Sequence, residues 1–123
     1  MTMRALVFAL VLPLAVPSWA ELIEIAWDGQ GGFERQVRIA PKGFVELCGR
    51  LRPQEAVRWQ FEADAATTFN IHFHEGKAAR YPVKEEGVST SRGVLEVKSE
   101  QDYCWMWSNP SDRQTTMTVR LDR

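Results

Sequence analysis

Thr116-Met117-Thr118-Val119-Arg120-Leu121 alternates polar and apolar side chains with a period of two, and short runs of the same kind return along most of the chain. Successive side chains on an extended segment point to opposite faces, so this pattern buries one face and leaves the other to water. A helix would need apolar residues three or four apart over roughly ten residues, and no long stretch has that spacing. Extended runs are read at 22–27, 33–39, 44–51, 57–61, 68–75, 81–83, 93–98, 103–108 and 116–121. Between them stand Asp28-Gly29-Gln30-Gly31-Gly32, Pro41-Lys42-Gly43, Pro53-Gln54-Glu55, Glu75-Gly76-Lys77 and Asn109-Pro110-Ser111-Asp112, all rich in turn-forming residues. The expectation is an all-β chain, an antiparallel sandwich of about seven or eight strands.

Residues 1–20 carry one early charge, Arg4, then an apolar run from Ala5 to Val16 broken by Pro13, and end in Ser18-Trp19-Ala20. That is the pattern of a secretory signal peptide, too short in its apolar part to span a bilayer. The expected product is one domain over 21–123, periplasmic or secreted, with no membrane span after cleavage. Without Arg4, the 15 basic residues fall to fourteen against 16 acidic ones, and neither sign forms a block. Nothing in that balance favours nucleic acid or an anionic membrane surface.

Cys48 and Cys104 both lie beyond the signal segment, and an even count in an oxidising compartment points to a bridge between them. Metal or redox work by these thiols is the alternative, but no Cys-x-x-Cys spacing supports it.

His72 and His74 are the only histidines, and they sit two apart in Asn70-Ile71-His72-Phe73-His74-Glu75. On a strand they share a face with Asn70, while Phe69, Ile71 and Phe73 take the other. Their backbones stand about 7 Å apart, close enough for both rings to reach one small ion. Tyr103-Cys104-Trp105-Met106-Trp107 is apolar on both faces, so either both sides are covered or one is an open binding surface. Imidazole with a thioether suits a soft cation, and an indole face can add a cation–π contact. The sharpest expectation is copper held by His72 and His74 with Met106, and with Trp105, Trp107 and Glu75 as ligand or partner contacts. Zinc fits less well, since a structural zinc site takes four strong ligands. No nucleophile elbow or phosphate-cradling glycine loop is present, and no serine is placed as a nucleophile beside Asp102 and a histidine, so no enzyme is expected.

Pro41-Lys42-Gly43-Phe44-Val45-Glu46-Leu47-Cys48, then Val57-Arg58-Trp59-Gln60-Phe61, Glu75-Gly76-Lys77, Tyr103-Cys104-Trp105-Met106-Trp107-Ser108-Asn109 and Thr118-Val119-Arg120-Leu121 together resemble a GOLD domain. The resemblance covers most of 38–122. It implies a small β-sandwich, a bridge between an early and a late cysteine, and a role in recognising proteins. With the Ser-Asn pair aligned, Cys104 falls two residues early and Met106 takes the usual cysteine place, which keeps the face. The coiled-coil and membrane-spanning segments that follow such a domain in eukaryotic secretory-pathway cargo receptors are not seen, so the trafficking role of those receptors is not implied. A protein or small-ligand recognition module without metal is therefore the alternative to copper binding.

Overall fold

The computed structural model describes Ala9, Val11 and residues 20–123, so most of the expected signal peptide lies outside the described residues. Seven strands follow one another: β1 (Ala20–Glu24), β2 (Gly32–Ile39), β3 (Phe44–Leu51), β4 (Ala56–Glu75), β5 (Ala78–Glu96), β6 (Gln101–Ser108) and β7 (Thr115–Asp122). They form a mixed sheet in the order β1-β3-β6-β4-β7-β2, with β5 paired to β4. The all-β expectation holds, with three differences, the first being that the runs at 81–83 and 93–98 join in one strand, β5, which ends at Glu96. β1 runs parallel to β3, with Leu22 opposite Glu46, so the sheet is not wholly antiparallel. The runs at 57–61 and 68–75 are one strand, β4, because the small residues between them stay extended instead of turning.

That long strand makes two layers out of one sheet. Its first half pairs with β7 from Arg58 to Ala63, and its second half pairs with β6 from Thr68 to His72. The register with β5 shifts between Glu62 and Thr67, where β4 crosses from one layer to the other. Extra residues on one strand bend and twist a ladder in this way. Thr67 Oγ1, donating to the Val88 carbonyl at 2.7 Å, pins the crossing. The β4–β5 hairpin closes at Gly76, whose φ of 61° lies in the left-handed region that glycine tolerates best.

The layers meet on aromatic rings. Phe61 contacts Phe69 at 4.9 Å and Trp107 at 5.4 Å, and Phe69 stacks on Trp107 at 5.2 Å. Trp105 and Trp107 are fully buried. Their side of β6 also carries Tyr103 and faces the core, which corrects the expectation that these indoles form a partner contact. Trp59 lies over Gly93, where a Cβ would collide with Cη2 and Cζ2 of its ring, so the packing requires a glycine there.

Candidate functional site

On the outer side of the layer β1-β3-β6-β4-β5, cross-strand pairing sets Leu22, Glu46, Met106, Asn70 and Lys84 in one row. The next row holds Glu24, Cys48, Cys104 and His72. Cys48 and Cys104 are bridged, and they stand directly opposite each other on β3 and β6. The bridge therefore ties two neighbouring strands on the outer face.

His72 and His74 do share this face, their ring centroids 5.3 Å apart and nearly perpendicular. Their environments differ. His74 is exposed, whereas His72 is only 5 % exposed. His72 Nδ1 lies 2.7 Å from Asn70 Oδ1, and its Nε2 lies 3.3 Å from Glu46 Oε1, which reaches across β6. Asn Oδ1 only accepts, so Nδ1 donates the proton of that bond. The exposed Tyr81 covers the ring at 5.8 Å, and the Lys84 ammonium sits 4.6 Å from the Tyr81 ring centre.

Burial is the largest influence on His72 and holds its imidazole below the ordinary value of 6.5; the Glu46 carboxylate pulls upward, and His74 adds to the lowering. Between the depressed folded value and 6.5 the unfolded chain binds more protons than the folded one. The stability allowed by a neutral His72 is thus full above that window and is lost as pH falls through it. A thermal melt is expected to show a lower midpoint at about pH 5 than at about pH 7.5, and His72→Gln to shrink the difference. Equal pH dependence in the two proteins would contradict this.

On the neutral ring Nδ1 thus donates to Asn70, and the unprotonated Nε2 faces the Glu46 carboxylate. Among the described residues, no group of three or more His, Cys, Asp or Glu is placed to hold a metal ion. Met106 lies on the same outer face, between Glu46 and Asn70. Glu75 does not join the histidines: its carboxylate lies 3.8 Å from Arg80 at the hairpin end. Glu46 and Tyr81 are the members that the strand pattern does not single out. Glu46 alternates with core residues like any surface position, and only the order β3-β6-β4 brings it to His72.

No family model matches this chain, and no curated protein does. The GOLD likeness therefore rests on residue spacing alone. Solved structures do match the fold. A periplasmic inhibitor of g-type lysozyme from Aeromonas hydrophila superposes with a TM-score of 0.63 at 10% identity, covering 84% of this chain and 96% of that one. The corresponding inhibitor from Salmonella Typhimurium gives 0.54 at 9% identity, over 83% and 96%. The pre-peptidase C-terminal domain of a Bacillus anthracis collagenase gives 0.56 at 9% identity, over 88% and 99%. At such identities the likeness is one of fold. Among the described residues, no helix is long and apolar enough to cross a membrane.

Proposed function

We propose that this is an exported, non-enzymatic protein that works by binding another protein, with the face around His74 and Tyr81 as its contact surface. The observation that carries this reading is Tyr81: it is 47% exposed and rests on a His72 ring held by Glu46 and Asn70. A large amphipathic side chain on a rigid support loses little freedom on binding, and tyrosines so placed dominate many interfaces. Non-catalytic action is supported by the bridging of both cysteines, which leaves no free thiol. Export is supported by the bridge itself, since disulfides persist in oxidising compartments. The neighbours described as periplasmic inhibitors make a g-type lysozyme the first partner to test.

Immobilised mature protein is expected to retain a g-type lysozyme with a Kd of about 1 μM or tighter, and Tyr81→Ala to weaken binding by roughly tenfold or more. Absence of binding would reject lysozyme as the partner. Retention unaffected by Tyr81→Ala would reject this face.

A second reading is copper capture by His72, His74 and Met106, favoured by the 5.3 Å approach of the two rings on one face. It would use the unprotonated Nε2 of His72, which lies beside the Glu46 carboxylate. Calorimetric titration with Cu(I) and Cu(II) tests it, and binding that His72→Ala/His74→Ala leaves unchanged would discard it.

A further inference from the structure

The opposite outer face, on β2-β7-β4-β5, is also hollowed. Two adjoining depressions of about 500 and 620 Å³ share Gln60, Arg92 and Arg120. Pairing places Glu34, Arg120, Gln60 and Arg92 in one row across all four strands, with Asp122, Arg58 and Val94 in the next. The larger depression is bordered by four arginines, Arg58, Arg92, Arg120 and Arg123, and by Asp122, while Glu34 and Glu62 border the smaller one.

The four are not equivalent. Arg120 is held by Asp122 through two hydrogen bonds of 3.0 and 3.1 Å, with Glu34 at 3.4 Å. Arg123 lies against Glu55 at 3.7 Å and over the Trp27 ring. Arg58 and Arg92 have no carboxylate within 4.0 Å among the described residues, although both are exposed beside the hollow. A guanidinium offers a planar pair of donors matched to a carboxylate, and the unpaired Arg58 and Arg92 stand in adjoining rows with Gln60 next to both.

We infer that this groove binds an extended acidic segment of a partner polypeptide, whose carboxylates pair with Arg58 and Arg92. The two unpaired guanidiniums set the sign of the ligand, since Arg120 and Arg123 are already balanced by Glu34, Asp122 and Glu55. The open, continuous form of the two depressions suits a chain better than a compact molecule, and Gln60 between the arginines can both donate to and accept from a peptide backbone. The face lies on the layer opposite Tyr81, so this site is separate from the contact surface proposed above and stands or falls independently of it.

Fluorescence anisotropy with a labelled polyglutamate peptide of about ten residues, at roughly 20 mM and 300 mM salt, tests the inference. The mature protein is expected to bind polyglutamate and not polylysine, and to lose affinity at the higher salt. Arg58→Gln/Arg92→Gln should weaken binding about tenfold, whereas Arg50→Gln/Arg52→Gln, which removes the same charge from elsewhere, should leave it unchanged. Circular dichroism confirms that both double variants are folded. Equal losses in the two variants would reduce the effect to net charge and overturn the site. So would failure of polyglutamate to bind at low salt, or binding of dextran sulfate alone.

Discussion

Replacing the bridge by Cys48→Ala/Cys104→Ala is expected to lower the unfolding free energy by about 4 kcal/mol, the loop-closure entropy restored to an unfolded chain no longer tied across 56 residues. For a domain of this size that corresponds to a fall of roughly 15–30 °C in the thermal midpoint. Urea unfolding of the oxidised protein and of the variant measures it. A difference below about 1 kcal/mol would show that the bridge merely decorates a ladder already stable without it. The location of the bonded pair adds a second consequence. Cys104 is the cross-strand partner of His72, and Glu46 reaches His72 over β6, so loosening β3 from β6 should also loosen the support beneath Tyr81.

Asn109→Ala is expected to cost about 3 kcal/mol, although the residue sits in a connection and not in a strand. Its side chain is 1% exposed. Nδ2 donates to the carbonyls of Ile39 and Ala40, each at 3.2 Å, and of Arg113 at 2.6 Å. Oδ1 accepts from the Ser111 amide at 3.0 Å and the Ser111 hydroxyl at 2.8 Å. One amide thus closes the β6–β7 connection and fastens it to the end of β2. Alanine would leave buried carbonyls without donors, and an unmade buried hydrogen bond costs more than a made one returns. Denaturant unfolding of the variant tests this, and a loss within about 0.5 kcal/mol would mean that water replaces the amide freely.

Asn109 illustrates what the sequence could and could not disclose. Asn-Pro-Ser-Asp is a turn by composition, but its contacts with Ile39 and Ala40 lie about seventy residues away and leave no local trace. The strands were legible because burial on one face imposes a period of two, the turns at 41–43 and 53–55 through Pro41, Gly43 and Pro53, and the turn at Gly76 because left-handed backbone favours glycine. The 20-residue β4 was not, since Asp64-Ala65-Ala66-Thr67 carries no glycine or proline and yet no apolar alternation. Parallel pairing of β1 was hidden for another reason: the same alternation serves either direction. In the candidate site, the common face of His72 and His74 followed from their spacing. The burial of His72 did not, because it depends on Glu46 and Tyr81, brought in from β3 and β5. For Tyr103-Cys104-Trp105-Met106-Trp107 the pattern left open which face was covered. Packing against Phe61 and Phe69 settles it, with the indoles inside.

The most direct test of the proposed contact surface is amide and imidazole chemical-shift mapping by NMR during titration of the mature protein with a g-type lysozyme. Perturbation centred on His74, Tyr81 and Lys84, with His72 shifted through its ring contacts, is the expected result. Perturbation confined to residues far from Tyr81, or binding that leaves these signals in place, would contradict it.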